Sequence, residues 1–321
     1  DVLVVGAGIA GSLCARELRR AGRSVCVVDK GRGPGGRMAT RRTEAGSFDH
    51  GAQYFTARDK RFRRLNEEWI GRDVVQRWRG RFGTIENGEV QSESRAAFRY
   101  VGVPGLHAIV RDLQVESDVT FGERVVQLRH GAGLWSAATA SGSVLQGRSV
   151  VIALPAPQAV ALVAPVSPLA RELARVRVEP CWATMVSFGE EVEVELDGIR
   201  FTDGKLSWAA RDSSKPGRAV GERWVLHSAQ RWAATVVEGA AEEVAREMLA
   251  ALEEAVRTPL PPSARIMAHR WLYALVSEPV GQDCLWAGEA RLGVCGDACR
   301  GGRIEDAALS GQILAARMLA E

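Results

Sequence analysis

Apolar residues at the start of the chain form a short continuous run, then a helical repeat, then a second run. Residues 2–5 are all apolar, which is typical of a strand buried on both faces of a sheet. Apolar residues then recur at helical spacing up to Gly22, and a second apolar strand, 24–28, ends at Asp29. Since a helix joining two parallel strands makes a right-handed crossover, the segment predicts a βαβ unit.

Similar patterns return after residue 100 and at the end of the chain. The predicted elements are strands at 119–121, 125–128, 150–155 and 293–297, a helix introduced by 103–105, and a helix at 304–319. We expect them to complete the first unit as a discontinuous Rossmann-like domain. Its predicted segments are 1–60, 101–160 and 281–321.

The intervening segments have a different character. Residues 69–100 are rich in charge, aromatics and turn signals. The later predicted elements are strands at 184–188 and 224–227 and an amphipathic helix at 238–256. We predict a second domain of the α+β class, built on a mostly antiparallel sheet, from residues 61–100 and 161–280. The expected fold class is therefore α/β with an added substrate domain.

A glycine fingerprint follows the first strand. Gly6 allows a tight turn, Gly8 lets the backbone approach a pyrophosphate, and Gly11 lets the helix pack on the strand. Asp29, at the end of the second strand, is placed to accept ribose hydroxyls. A tight turn without a ligand would explain Gly6 and Gly11 but gives no reason for Asp29. The pattern predicts dinucleotide binding.

Two further glycine segments favour FAD over NAD. Gly35 and Gly36 lead into Arg37, which suits a loop beside a second phosphate surface. Near the C-terminus, Gly296 and Asp297 precede a glycine pair and a helix that begins at residue 304, so a second helix N-terminus faces the same crevice. Taken singly, the first could be a surface turn with a solvated arginine and the second a flexible loop.

Composition narrows the function classes. The net charge is +3, with 42 basic and 39 acidic residues scattered along the chain, so we expect no nucleic-acid partner. No apolar run is long enough for a membrane span and no leader precedes the first strand, so we expect a cytoplasmic protein. Six cysteines lack zinc-like spacing, which favours reduced thiols and no metal site.

The motifs together resemble the renalase family of flavoproteins, within the wider amine-oxidase and p-hydroxybenzoate-hydroxylase-like group. The most specific mark is Asp49-His50-Gly51-Ala52-Gln53-Tyr54-Phe55-Thr56. Other marks are Gly6 to Ala15, Asp29-Lys30, Gly35 to Thr40, Arg99 to Gly105, Leu154 to Ala159, Ser213 to Arg218, Trp224 to His227 and His269 to Ala274. The likeness covers nearly the whole chain and implies a GR2-type fold for the FAD-binding domain.

The resemblance implies that noncovalently bound FAD oxidises the 2- and 6-dihydro isomers of NAD(P)H, with dioxygen as the final acceptor and hydrogen peroxide as a product. His227 and Trp271 would line the substrate face and Gln53 would lie near the isoalloxazine, so these three are the predicted catalytic residues. The predicted cofactor-binding residues are Gly6, Gly8, Ala10, Gly11, Asp29, Lys30, Gly36, Arg37, Met38, Gly51, Ala52, Gln53, Tyr54, Val126, Gly296, Asp297, Arg303, Ile304 and Glu305.

Some assignments stay open at this point. Without the resemblance, His227 would be interpreted as a strand histidine whose hydrogen bonds are made inside the second domain. Trp271 would be interpreted as a residue that packs in the core or at an interface. Asp212 stands where many bacterial relatives have an amide, so no role is assigned to it. Candidate cations for attracting the substrate pyrophosphate are Lys215, Arg218, Arg231 and Arg270, although such residues are usually just solvated.

Two other functions compete with the renalase-like one. A flavin amine oxidase would need an aromatic cage around a neutral amine, for which Tyr54, Trp271 and Tyr273 are available. A flavin-bound protein that binds a partner or nucleotide without turnover is the third possibility.

Overall fold

The chain is built around two large β-sheets in the computed structural model, which describes residues 1–92 and 98–321. The helices are α1 (Ile9–Arg20), α2 (Lys60–Gly71), α3 (His107–Leu113), α4 (Ala156–Val163), α5 (Ala170–Leu173), α6 (Gln230–Thr235), α7 (Ala241–Val256), α8 (Asp297–Arg300) and α9 (Ile304–Ala320). The strands are β1 (Val2–Val5), β2 (Val25–Asp29), β3 (Thr40–Thr43), β4 (Gly46–Asp49), β5 (Val75–Arg77), β6 (Phe82–Glu86), β7 (Glu89–Ser92), β8 (Tyr100–Gly102), β9 (Asp118–Phe121), β10 (Val125–Gly131), β11 (Leu134–Thr139), β12 (Val144–Gly147), β13 (Ser149–Ile152), β14 (Arg177–Phe188), β15 (Gly198–Phe201), β16 (Leu206–Arg211), β17 (Glu222–Ser228), β18 (Ser263–Glu278), β19 (Leu285–Ala287) and β20 (Leu292–Val294).

The first sheet has six strands in the order β19-β20-β13-β1-β2-β9. All neighbours are parallel except the edge pair β19 and β20. Its central strand β1 is buried on both faces, since Leu3 and Val5 pack in one apolar cluster and Val2 and Val4 in another. This explains the continuous apolar run in the sequence, because a parallel strand covered by helices on both sides has no polar face. The predicted Rossmann-like fold is confirmed.

The second sheet has seven strands in the order β18-β14-β17-β16-β15-β6-β7. Its neighbours are antiparallel except β15 and β6, which confirms the predicted mostly antiparallel sheet. Helix α7 covers one face through Val244, Met248 and Leu252, which pack in a cluster with Trp182 and Trp224. These buried positions follow the helical period, as the amphipathic pattern predicted.

Helix α2 was not predicted from the sequence. Its buried residues, Phe62, Leu65, Asn66 and Trp69, recur at helical spacing, but lysines, arginines and glutamates between them hide the pattern. The helix packs in the apolar cluster that contains residues of α1 and α9, beside the first sheet. Residues 93–97 of the predicted 61–100 segment lie outside the described residues.

The remaining strands form a three-stranded antiparallel sheet, β10-β11-β12, and two small pairs, β3-β4 and β5-β8. Within the described ranges, none of the helices combines the length and the apolar character needed to cross a bilayer.

Candidate active site

The turn between β1 and α1 is shaped by close backbone packing. A Cβ atom on Gly6, whose φ is +108°, would collide with the backbone carbonyl of Ala153, and one on Gly11 would collide with the carbonyl of Gly6. A Cβ on Gly8 would meet nothing within 4 Å, although Gly8 lines a cavity. The fingerprint thus contains two residues required by packing and one that leaves space for a ligand.

Asp29 holds this turn from the second strand. Its Oδ2 accepts the backbone N–H of Ala7 at 2.6 Å, and its Oδ1 accepts that of Gly31 at 2.6 Å. A carboxylate keeps further lone pairs after two such bonds, and Asp29 also lines a cavity. It can therefore organise the turn and accept a ribose hydroxyl.

Two neighbouring cavities lie along this crevice and share Leu154. The first, of about 270 Å³, reaches from the fingerprint to the second sheet. The second, of about 340 Å³, lies at the ends of β1 and β2. Among the predicted residues, the first is lined by Gly8, Ala10, Arg37, Met38, Gly51, Ala52, His227, Trp271, Gly296, Asp297, Arg303 and Ile304, and the second by Asp29, Lys30 and Val126.

The N-termini of two long helices meet at the first cavity. Ile9 begins α1 and Ile304 begins α9, and both residues line the cavity. Unpaired N–H groups and the helix dipole make such ends favourable for phosphate. Together with the open position at Gly8, these ends fit the pyrophosphate of FAD.

Arg37 and Asp297 form an ion pair at the cavity wall. The guanidinium donates to both carboxylate oxygens, with Nη1 to Oδ2 at 2.5 Å and Nη2 to Oδ1 at 2.6 Å. Nη1 also lies 3.5 Å from the carbonyl oxygen of Tyr273 and 3.4 Å from that of Ala274, in β18. Arg37 therefore links the loop beside the fingerprint, the C-terminal motif and the second sheet. A lysine could not make the bidentate contact.

The most specific sequence motif forms part of the same wall. Gly51 has no room for a side chain, because a Cβ would collide with the carbonyl of Arg37. The N–H of Ala52 donates to that carbonyl at 2.9 Å. Gln53 lies behind the wall, where its Nε2 donates to the carbonyls of Asp49 and Gly51. The amide of Gln53 thus braces the loop and does not line either cavity in the described part of the chain.

A fully buried ionic cluster lies behind Gln53. Lys215 donates to Asp212 at 2.6 Å and to the Oε1 of Gln53 at 3.1 Å, and lies 3.6 Å from Asp49. Arg218 donates to Asp49. The side chains of Lys215 and both aspartates are 0% exposed and that of Arg218 is 1% exposed. Burial alone would raise the pKa of Asp49, but Lys215 and Arg218 hold that pKa below its usual range.

This cluster corrects one expectation and gives Asp212 a role. Lys215 and Arg218, candidates for attracting a substrate pyrophosphate or else solvated surface cations, are neither, because both are buried and neutralised by carboxylates. Arg270 pairs with Glu238 and with the carbonyl of Val237. Asp212 accepts from Lys215, so its carboxylate is a structural counter-ion.

The wall of the cavity formed by the second sheet is a row of residues from adjacent strands. Trp271 of β18 is paired with Cys181 of β14, and His227 of β17 lies beside them. Ser207 of β16 falls where the register against β17 shifts between Leu206 and Trp208. Register shifts of this kind re-aim side chains. The four side chains line the cavity with Gln230, the first residue of α6.

Burial keeps the histidines of this region neutral. It lowers the pKa of His227 to about 4. Burial also lowers the pKa of His50 to about 4, with help from His269 and Arg41. The carbonyl of His50 accepts the indole N–H of Trp271 at 3.0 Å and lies 3.4 Å from Nε2 of His227. One backbone carbonyl therefore orients both predicted substrate-facing residues.

The other predicted residues have positions away from the cavity surface. Gly6 and Gly11 act in packing, and Gly36 packs with its Cβ position 3.5 Å from the Cα of Gly8. Tyr54 packs against Trp78 and Trp208. The carboxylate of Glu305 is engaged elsewhere, since its Oε1 accepts the N–H groups of Arg58 and Asp59 at 2.7 Å.

Sequence reasoning missed three polar residues that line the second-sheet wall of the cavity. These are Cys181, Ser207 and Gln230. No motif marks them, because they meet only through sheet order and a register shift. Gln230 alone had a local signal, since it lies three residues after His227.

Comparison with known proteins places this geometry in a family. The model of the flavin containing amine oxidoreductases matches residues 81–319, and that of the NAD(P)-binding Rossmann-like domain matches residues 4–69. Mouse (Mus musculus) renalase is 25% identical over 301 residues, which cover 87% of this chain and 86% of renalase.

Two solved structures share the fold over the whole chain. Cyclohexylamine oxidase from Brevibacterium oxydans IH-35A has a TM-score of 0.78 at 14% identity, covering 100% of this chain and 98% of its own. A provisionally assigned protoporphyrinogen oxidase from Exiguobacterium sp. 255-15 has a TM-score of 0.81 at 13% identity, covering 100% and 99%. The chain belongs to the flavin containing amine oxidoreductase family, as a renalase-like FAD-binding oxidoreductase.

Proposed function

We propose that this flavoprotein oxidises the 2- and 6-dihydro isomers of NAD(P)H to NAD(P)+. The observation that carries the proposal is the substrate-side wall, where Trp271, His227, Ser207, Cys181 and Gln230 surround the cavity without a charged group among them. Bound FAD would accept the hydride and pass two electrons to dioxygen, which takes up two protons to become hydrogen peroxide.

The chain's own contribution to this reaction is placement. A dihydropyridine already carries the electrons to be transferred, so the protein has to hold its ring in a fixed orientation and exclude water. Trp271 and His227 are well suited to this task, because the carbonyl of His50 fixes both rings. None of the five wall residues carries a carboxylate, and Asp297 of the same cavity is already paired with Arg37. The developing positive charge of the oxidised ring would therefore meet no free counter-ion on this wall, which favours release of the product.

The amine oxidase alternative fits this wall less well. Its aromatic cage would draw on Tyr54, Trp271 and Tyr273, but of these three only Trp271 lines the cavity in the described part of the chain. Tyr54 packs with Trp78 and Trp208, with ring centroids 6.4 Å and 5.4 Å away. The arrangement therefore lacks two sides of such a cage.

Anaerobic mixing of the yellow protein with candidate substrates tests the proposal. Borohydride-reduced NAD+, which contains the 2- and 6-dihydro isomers, should bleach the flavin, whereas pure 4-dihydro NADH at equal concentration should bleach it more slowly. Readmitted oxygen should restore the colour and release about one peroxide for each flavin reduced, as the electron balance requires. Bleaching by small amines alone would favour the amine oxidase. Bleaching by none of these compounds would leave flavin binding without the proposed turnover.

A further inference from the structure

Four of the five wall side chains direct their hydrogen-bond donors to backbone carbonyls of the protein. The hydroxyl of Ser207 donates to the carbonyl of Ser228 at 2.9 Å and lies 3.3 Å from that of His227. A hydroxyl has one proton, and a carbonyl oxygen can only accept. The oxygen of Ser207 therefore offers lone pairs to a ligand in the cavity.

His227 is oriented in the same sense. Its Nε2 faces the carbonyl of His50 at 3.4 Å. Because a carbonyl cannot donate, the proton of the neutral ring lies on Nε2 and the lone pair on Nδ1. Among residues 1–92 and 98–321, none hydrogen-bonds Nδ1 of His227.

Two of the three remaining wall groups add no donor. The indole N–H of Trp271 is used by the carbonyl of His50 at 3.0 Å. The thiol of Cys181 lies 3.3 Å from the carbonyl of Trp182 and can donate to it. Burial raises the pKa of Cys181 to about 11, so the thiol stays protonated. Only the amide of Gln230 can present either a donor or an acceptor.

We infer that Ser207 and His227 are paired acceptors that recognise an N–H donor on the substrate, and that they select the primary carboxamide of a dihydronicotinamide over the carboxylate of a dihydronicotinic acid. The inference rests on the proposed function and deepens it. A carboxamide NH₂ has two protons, one for each acceptor. A carboxylate has none, and its charge would face two lone pairs with no cation among the five wall residues, an arrangement that discriminates strongly.

Paired substrates that differ only in this group provide the test. Borohydride-reduced NAD+ and borohydride-reduced nicotinic acid adenine dinucleotide are mixed anaerobically with the yellow protein, and bleaching is followed over a concentration series. The native protein should show an apparent Kd at least about tenfold lower for the carboxamide compound. Ser207→Ala and His227→Asn should each reduce this ratio several-fold.

Control variants separate recognition from folding. Ser277→Ala removes a serine of the same sheet that is exposed and donates to Glu179 outside the cavity, so its ratio should equal that of the native protein. Flavin content and the visible spectrum show whether each variant is folded. Ser207→Cys, which keeps a small side chain with a weaker acceptor, should give an intermediate ratio.

The possible failures are distinguishable. Equal apparent Kd values for the two compounds in the native protein, or an unchanged ratio in both Ser207→Ala and His227→Asn, would overturn the inference while leaving the oxidase activity in place. If neither compound bleached the flavin, the proposed function would fail and the inference with it.

Discussion

The two sheets contribute to the site in different ways. The first sheet supplies backbone: Gly6 and Gly11 close a turn, Gly8 leaves a gap, and helices α1 and α9 present their N-termini. The second sheet supplies side chains, in a row that crosses four strands from Trp271 to Ser207. On the proposed function, the cofactor would be held by conformations that only certain residue types allow, whereas substrate choice would depend on side chains that could be exchanged without changing the fold.

Gly8→Val tests the backbone contribution of the first sheet to the site and has the largest expected effect. The Cβ position of Gly8 is free of protein atoms within 4 Å but lies on the cavity. A valine should therefore fold and yet occupy the space of the pyrophosphate. We expect a colourless protein with a native circular dichroism spectrum. A yellow variant with normal flavin content would contradict the conclusion that Gly8 leaves space for the pyrophosphate.

Valine substitutions at two other glycines serve as controls for Gly8→Val. Gly189→Val places the same side chain in open space away from the cavities, so flavin content should be normal. Gly11→Val forces a side chain into the carbonyl of Gly6, so it should lower the folding yield as well as the flavin content. If Gly8→Val and Gly11→Val behaved alike, the distinction between a ligand gap and a packing contact would fail.

Lys215→Met tests the buried ionic cluster that lies behind Gln53. The change leaves two buried carboxylates, Asp49 and Asp212, with less positive charge around them. Removing one partner from a buried ion pair costs about 3–5 kcal/mol, so the midpoint of urea unfolding should fall steeply. Lys205→Met is the matched control, because its salt bridge to Glu247 is half-exposed and worth about 1 kcal/mol at most.

A double variant distinguishes charge from shape at Lys215. Lys215→Met combined with Asp212→Leu removes both members of the 2.6 Å pair and leaves Asp49 with Arg218. Much of the lost free energy of unfolding should return, since apolar replacements of buried pairs are often tolerated. A double variant no more stable than Lys215→Met would show that the fit of the lysine matters more than its charge.

The features that could be predicted from the sequence are those whose conformation depends on residues close together in the chain. The β1-α1 turn, Asp29 and the start of α9 were predicted because glycine and helix-end patterns are local. Ser207 and Cys181 could not be found in this way, since their positions depend on strand order and on register shifts within a sheet. Lys215 and Arg218 look like surface cations in the sequence, because their shared partner Asp49 is far away along the chain and the pairing of Lys215 with nearby Asp212 does not reveal that both are buried.

His227→Asn tests the wall formed by the second sheet and leaves the turn between β1 and α1 unchanged. Asparagine cannot keep both the contact to the His50 carbonyl and the ring geometry of histidine. Flavin content should stay normal, while the anaerobic rate of flavin reduction should fall by about tenfold, equivalent to about 1.4 kcal/mol of transition-state stabilisation. An unchanged single-turnover rate would remove His227 from the site.

The pH dependence of stability gives the smallest expected effect. It tests whether the histidines near the cavity are neutral in the folded protein. The pKa of His227 is lowered to about 4 in the folded state by burial, against about 6.5 in an unfolded chain. Between these values the unfolded state binds more protons, so stability is lost as the pH falls from about 6.5 towards 4 and is complete above that window. His50, which faces His269, Arg41 and Asp49, behaves in the same direction.

Replacing one of these histidines should flatten the profile. Between pH 7 and pH 5.5 each buried histidine should contribute about 1 kcal/mol to the loss of unfolding free energy. His227→Asn should therefore lose about that much less than the native protein over the same interval, whatever its stability at pH 7. Urea unfolding of both proteins at several pH values measures the two slopes. Parallel curves would mean that the pKa of His227 does not differ between the folded and unfolded states, and that burial does not keep its ring neutral below about pH 6.5.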